Sequence, residues 1–117
     1  MAEFTESILD SVKEDIGAMV APDDEAPFDN SLIRYINTAL GFLFQLGVGS
    51  EPFKITGSTE TWSDFLGEGS DLDAVKSYVT KEVKLMFDPP SSSYLLDADR
   101  RVISELEWRI NLMADEV

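Results

Sequence analysis

The chain has 117 residues, of which 44% are hydrophobic and 27% are charged, and these values predict one globular domain over residues 1–117. Acidic residues outnumber basic residues by 23 to 9, which gives a net charge of −14. So acidic a chain is repelled by nucleic-acid phosphates and by anionic membranes, although acidity can also serve solubility alone. Cysteine and histidine are both absent, which excludes thiol nucleophiles, thiolate metal sites and the commonest general base.

The remaining residues predict no catalytic site, no cofactor and no metal site. Paired carboxylates such as Asp10 and Glu14 arise by chance in so acidic a chain, and a solvated helix face explains them. Residues 23–25 are acidic but lack the ligand spacing and central glycine of a calcium loop. No apolar run approaches the roughly 20 residues that span a bilayer, and residues 1–11 lack the cationic flank of a secretory signal. We therefore expect a cytoplasmically made protein that acts by binding and is not an enzyme.

The first two helices are predicted from apolar spacing and end signals. The first begins near Thr5 and ends at Gly17, and its apolar face consists of Ile8, Leu9, Val12 and Ile16. Residues 22–27 are acidic and bounded by prolines, which predicts an exposed linker. The second helix begins at Asp29 and is stopped by Gly47. Its apolar stripe is wide, as expected at the centre of a bundle or at a subunit interface.

The longest connection in the chain is the irregular segment 50–69, and long connections are often functional. Residues 53–56 alternate apolar and polar side chains, which is enough for one short strand. Thr61 can cap a single helical turn that runs to Leu66. The aromatic side chains of this segment either complete the core or anchor a protein partner, because rigid aromatic groups dominate interface energetics. Four residues of the segment are candidates for such contacts: Phe53, Lys54, Trp62 and Phe65.

Two further helices complete the chain. The fourth helical segment begins after Ser70, a helix cap, and ends before Pro89 and Pro90. The last helix runs from about Leu95 to Met113, with a predicted stripe of Leu95, Val102, Leu106, Ile110 and Met113. Trp108 falls off this stripe, and residues 112–117 are predicted to be a flexible tail. The predicted fold class is all-α: a small helical bundle of about four to five helices with a long irregular loop between the second and fourth helical segments.

One passage allows a different class of protein, an acyl carrier. Such carriers attach a prosthetic group to the serine of an Asp-Ser-Leu motif. In this chain the order is Ser70-Asp71-Leu72, so the required aspartate does not precede the serine. The capping role already explains Ser70.

Several passages resemble the head–tail connector (head-completion, adaptor) proteins of tailed bacteriophages. They lie in the same order as in that family and are residues 37–49, 61–66, 75–94 and 106–111. The most persuasive combination is Phe87-Asp88-Pro89-Pro90 followed by Leu106-Glu107-Trp108-Arg109. The similarity covers the chain from about Thr5 to Leu112.

The resemblance implies a structural virion protein without enzymatic activity, located in the neck at the portal vertex after synthesis in the host bacterial cytoplasm. Members of the family assemble as a ring, commonly twelve-fold, beneath the portal. The ring joins capsid to tail, extends the DNA channel, helps to retain packaged DNA and presents a platform for a stopper or tail-completion protein. DNA passes through without being tightly bound, and a net charge of −14 fits an acidic channel. The same charge opposes self-assembly, so we expect a monomeric free protein and a ring templated by the portal.

The resemblance also directs the candidate residues to partners. Phe53, Lys54, Trp62 and Phe65 become candidates for contacts between subunits or for lining the channel. A second set, Trp108, Arg109, Asn111 and Met113, becomes the candidate for docking to the portal or a neighbouring neck protein. The alternative from a different class is an acidic helical inhibitor that mimics DNA and occupies a host nucleic-acid-binding protein.

Overall fold

Helices account for most of the part of the protein that the computed structural model describes, which comprises residues 6–16, 29–48, 52–66 and 72–115. Five helices follow one another: α1 Ile8–Ile16, α2 Asp29–Gln45, α3 Trp62–Leu66, α4 Leu72–Phe87 and α5 Ser93–Asp115. These residues contain no β-strand, only an isolated antiparallel bridge between Ser7 and Thr61. The all-α prediction is confirmed. The predicted linker 22–27 and the predicted cap Ser70 lie outside the described residues.

Local hydrogen bonds set the ends of the first two helices. The Ser7 hydroxyl accepts the N–H of Asp10 at 3.2 Å, so α1 is capped two residues later than predicted. Gly47 has a φ of 101°, a conformation that strains any residue with a Cβ atom. This turn lets the N–H of Val48 donate to the carbonyl of Leu43 at 3.0 Å, which ends α2 at the predicted glycine.

The ends of the last two helices are set by proline and serine. Helix α4 ends at Phe87, just before the two prolines that were predicted to stop it. The Ser92 hydroxyl accepts the N–H of Leu95 at 3.3 Å and caps α5. Helix α5 continues to Asp115, past the predicted start of the tail at residue 112. None of the described helices is long and apolar enough to cross a bilayer.

Helix α4 occupies the centre of the bundle. It packs against α2, α5 and α1, whereas α1 and α2 make only slight contact with each other. Its buried side chains are Val75, Tyr78, Val79 and Val83, and α2 faces them with Leu32, Ile36, Ala39, Leu40 and Leu43. Helix α1 adds Ile8, Leu9 and Val12. Removal of these apolar surfaces from water is the main stabilising contribution, at about 25 cal/mol per Å².

Helix α5 contacts the bundle along one side only. Ile110 is buried and Leu106 is half-buried, as predicted for the stripe, and Ile103 is buried as well. Leu95 and Val102 were predicted to belong to the same stripe, but they are 53% and 42% exposed. That part of the prediction is wrong, because among the described helices α5 packs chiefly on α4, which leaves these two side chains largely uncovered.

Candidate interaction surfaces

Residues 52–66, the described part of the irregular connection, are fastened to α2 by the side chain of Asn37. Its Oδ1 accepts the N–H of Ile55 at 2.7 Å, and its Nδ2 donates to the Ile55 carbonyl at 3.0 Å. The predicted strand over residues 53–56 is therefore wrong. A side-chain amide takes the place of a neighbouring strand and satisfies both polar backbone groups of a residue whose own side chain is buried.

A single carboxylate organises the turn that follows. Glu60 accepts hydrogen bonds from the N–H and the hydroxyl of Thr56, at 2.9 and 2.8 Å, and from the N–H of Gly57 at 3.4 Å. Slight burial raises the pKa of Glu60, but these hydrogen bonds outweigh it and lower the pKa below its ordinary value. The turn at residues 56–60 is thus built around an ionised carboxylate.

Helix α3 begins with a reciprocal cap. The Thr61 hydroxyl accepts the N–H of Asp64 at 3.1 Å, and the Asp64 carboxylate accepts the N–H of Thr61 at 3.0 Å. Thr61 thus caps the helical turn as predicted, and Asp64 completes a capping box. The cap directs Trp62 inward, where its indole N–H donates to the Ser11 hydroxyl on α1 at 2.9 Å.

The four candidate residues of this segment do not share one environment. Trp62 and Phe65 are only 0% and 8% exposed and belong to the core of the chain. The Phe53 ring is half-buried, with its centroid 5.2 Å from that of Phe65. Lys54 alone points into solvent. Another molecule could therefore contact Lys54 and the edge of Phe53, while Trp62 and Phe65 support the segment from beneath.

Exposed apolar side chains lie along the solvent side of α5, with exposed charged side chains between them. We call these apolar side chains the α5 outer face, which consists of Tyr94, Leu95, Val102, Trp108 and Leu112. At about 100° per residue these positions fall within an arc of roughly 140° on the helix. Trp108 is 62% exposed and Tyr94 is 79% exposed. Large aromatic groups so far out of the core on one face are typical of an interaction surface.

The docking candidates lie at the C-terminal end of this face. Arg109 is exposed, and its guanidinium lies 3.0 Å from the Glu105 carboxylate one helical turn away. Asn111 donates from Nδ2 to the carbonyl of Leu46 at 3.0 Å, which ties the end of α5 to the end of α2. Trp108 and Arg109 are thus accessible, Asn111 holds them in place, and the side chain of Met113 lies outside the described residues.

Two exposed phenylalanines of α2 lie at the same end of the molecule. Phe42 and Phe44 are 40% and 38% exposed. Phe42 is one helical turn before Leu46, and Trp108 is one turn before Asn111. Phe42 and Trp108 therefore lie near the contact between Asn111 and Leu46. Exposed aromatic side chains are therefore present on both helices near this junction.

A polar cluster joins α4 to α5 on the other side of α5. The Tyr78 hydroxyl donates to the Glu107 carboxylate at 2.9 Å, and burial together with this hydrogen bond raises the pKa of Tyr78. Burial, reinforced by the charge of Glu107, also raises the pKa of Glu82. Among the described residues no group of three or more acids is arranged to hold a metal ion.

Sequence reasoning missed the residues that shape these surfaces. Asn37 and Glu60 were not singled out, although each fixes the exposed segment through several hydrogen bonds. The available signals were an asparagine within an otherwise apolar stretch of helix and an acid that closes a turn rich in threonine, serine and glycine. Such side chains commonly satisfy nearby backbone groups.

These features define a small all-helical protein whose described residues present shaped surfaces instead of a catalytic arrangement. The family model described as "Phage connector protein" matches residues 8–117, a span that includes all five helices. The chain therefore belongs to the phage connector family. Membership makes it a structural component of the virion that associates with the portal and other virion proteins. Comparisons with curated proteins and with solved structures found no match.

Proposed function

We propose that this chain forms a ring beneath the portal that joins the capsid to the tail, extends the DNA channel and helps to retain packaged DNA in the virion neck. Membership of the connector family supports the structural role. The observation that carries the assembly role is the α5 outer face, a set of exposed apolar side chains along one helix of a protein whose net charge is −14. Burial of these side chains against another virion protein would offset part of the repulsion that the net charge causes.

The end of the α5 outer face that carries Trp108 and Arg109 docks to the portal or to a neighbouring neck protein in this proposal. Tryptophan and arginine are the residue types that most often dominate binding energy. Asn111 contributes by holding α5 against α2. Met113, the fourth candidate, follows on the same helix. Trp108 can then enter a partner pocket without the cost of ordering a flexible segment.

The charge of the chain suits a protein beside a DNA channel. An acidic wall repels phosphates, so DNA can pass during packaging and ejection without adhering. The same repulsion acts between copies, and we expect the free protein to be monomeric until the portal brings the copies together. Tight binding of duplex DNA at low salt would contradict the first expectation, and a stable closed ring formed at low salt without portal would contradict the second.

We can test whether Trp108 docks to the portal by measuring the portal binding of two variants, Trp108→Ala and Tyr94→Ala. Both variants remove an exposed aromatic side chain from α5, but only Trp108 lies at the proposed docking end. We expect Trp108→Ala to weaken binding to purified portal by about 30-fold, the effect of a hot spot worth about 2 kcal/mol. Tyr94→Ala should bind nearly as well as the unaltered chain. Equal binding by both variants, with unchanged circular dichroism, would overturn the assignment.

The DNA-mimic alternative is supported by the net charge alone. An inhibitor of that kind displaces duplex DNA from a nuclease, whereas a connector does not. Competition in a nuclease-binding assay would favour the inhibitor and count against the ring.

A further inference from the structure

Two cationic side chains line one pocket without a carboxylate partner among the described residues, although acids outnumber bases by 23 to 9 in the sequence. Arg34 on α2 and Lys54 in the following segment line an open pocket of about 410 Å³, which we call the cationic pocket. Its other lining residues are Asn30, Ile33, Asn37 and Thr38. Neither Arg34 nor Lys54 forms an ion pair with any described residue, whereas Lys76, Lys81 and Arg109 each do. Arg34 lies 5.8 Å from the centre of the Tyr35 ring, and no carboxylate of a described residue lines the pocket, so an external anion could bind there.

The pocket is held in shape by contacts already described. Asn37 lines it and fixes both backbone groups of Ile55, the residue that follows Lys54. Arg34 lies one helical turn before Asn37 on the same face of α2. The two hydrogen bonds between Asn37 and Ile55 therefore keep Lys54 at the same pocket as Arg34. Two positive charges held in one pocket favour the binding of a negatively charged group there.

A matching acidic surface lies on α1. Asp10 and Glu14 are one turn apart, both are exposed, and neither carboxylate forms an ion pair with a described residue. We call this pair the acidic face. It lies on the side of α1 opposite the buried Val12.

The two surfaces face away from the centre of the molecule on different helices. Helices α1 and α2 both pack on α4 but touch each other only slightly. The cationic pocket lies on the side of α2 opposite the buried Leu32 and Ile36, so α2 itself separates it from α4. The acidic face and the cationic pocket thus lie on different helices, and each is on the side of its helix turned away from the buried residues.

We propose that copies of this chain associate head to tail, with Asp10 and Glu14 of one copy seated in the Arg34–Lys54 pocket of the next. The inference rests on the proposed ring and names the contact between its subunits. A contact between two different surfaces, repeated about an axis, closes into a ring, and paired charges decide which surfaces meet. Exposed ion pairs are individually weak and screened by salt. Such a contact therefore forms when the portal concentrates the copies and is absent in the dilute free protein.

Cross-linking tests the contact directly, because the chain contains no cysteine of its own. Glu14→Cys and Lys54→Cys, each a single-cysteine variant, are mixed on purified portal and oxidised. We expect a disulfide between the two variants to form faster than either variant bonds to itself. Lys84→Cys is the matched control, because Lys84 is also an exposed lysine without an ion-pair partner among the described residues but lies on α4. Equally rapid bonding of Glu14→Cys to the control would overturn the proposal.

Charge reversal provides the second measurement. The double variants Asp10→Lys/Glu14→Lys and Arg34→Glu/Lys54→Glu should each bind portal as scattered subunits without completing a ring, whereas all four changes in one chain should restore the ring. Complete rings from both double variants would overturn the proposed contact and leave the proposed function standing. Loss of portal binding by either double variant would also overturn the proposed contact, because the altered residues would then bind the portal and not a neighbouring copy. No ring from the unaltered chain on its portal would count against the proposed function instead.

Discussion

The indole N–H of Trp62 donates to the hydroxyl of Ser11 at 2.9 Å, across 51 positions of the sequence. Both groups are buried, and the Ser11 hydroxyl in turn donates to the carbonyl of Ile8 at 3.2 Å. The hydrogen bond joins α3 to α1 and makes the irregular connection part of the core. The exposed loop around Lys54 is consequently anchored to the core. An anchored loop loses less conformational entropy when it contacts another subunit.

Trp62→Phe removes the donor of this hydrogen bond and part of the core volume. We expect a loss of about 1–3 kcal/mol in the free energy of unfolding, because a buried hydroxyl loses its partner and a cavity remains. Urea unfolding followed by circular dichroism measures it. Trp108→Phe is the matched control and should change stability by less than about 0.5 kcal/mol, since Trp108 is exposed. Similar losses in both variants would contradict the burial of Trp62.

Asn37→Ala removes both hydrogen bonds that fasten Ile55 to α2. We expect a loss of about 2 kcal/mol in stability, because two backbone groups at a buried position are left unpaired. Hydrogen exchange at the Ile55 amide should accelerate in parallel. Asn111→Ala, which removes one exposed hydrogen bond to Leu46, should cost only about 0.5–1 kcal/mol. An unchanged exchange rate at Ile55 would show that the segment is held by other contacts.

Glu60 should give the turn at residues 56–60 a measurable pH dependence. Its pKa is lowered in the folded chain despite slight burial, because Thr56 and Gly57 donate hydrogen bonds to the carboxylate. The stabilising contribution is therefore present above the unfolded pKa and is lost as the pH falls through the lower, folded pKa. The melting temperatures of the unaltered chain and of Glu60→Gln should converge at acid pH. Glu14→Gln serves as the control, because it breaks none of the hydrogen bonds of the turn. A difference in melting temperature between Glu60→Gln and the unaltered chain that stays the same at every pH would contradict the account.

Glu82 should behave in the opposite way. Burial and the nearby charge of Glu107 raise its pKa, so the folded chain gains stability as the pH falls through that raised pKa. Glu82→Gln should therefore be more stable than the unaltered chain at neutral pH, by less than about 1 kcal/mol at a site that is partly solvated. This advantage should disappear at acid pH. Glu107→Gln should lower the pKa of Glu82 in an NMR titration, and no movement of that pKa would contradict the coupling.

The helix ends were predictable because their signals are local. Gly47, the prolines after Phe87, and Thr61 with Asp64 each act through neighbours within a few residues of the chain. The exposure of Leu95 and Val102 was not predictable in the same way. Spacing identifies an apolar face of a helix, but only the three-dimensional arrangement shows how many neighbours are present to cover it.

The candidate surfaces were predictable in part. Trp108 was expected off the main stripe of its helix, and it is exposed. Trp62 was equally eligible as an anchor for a partner, but it lies in the core because Ser11 provides an acceptor there. The clamp between Asn37 and Ile55 spans 18 positions and joins a helix to a loop. No local pattern predicts such a pairing, so the cationic pocket that it shapes could not be predicted from the sequence.

Cryo-electron microscopy of the neck of the purified virion tests the central claim most directly. The account predicts a ring of this chain directly beneath the portal, with the end of α5 that carries Trp108 against its partner. It also predicts that Asp10 and Glu14 of each copy lie at the Arg34–Lys54 pocket of the next. A complete, tailed particle in which the portal joins the tail without this chain would contradict the proposed function.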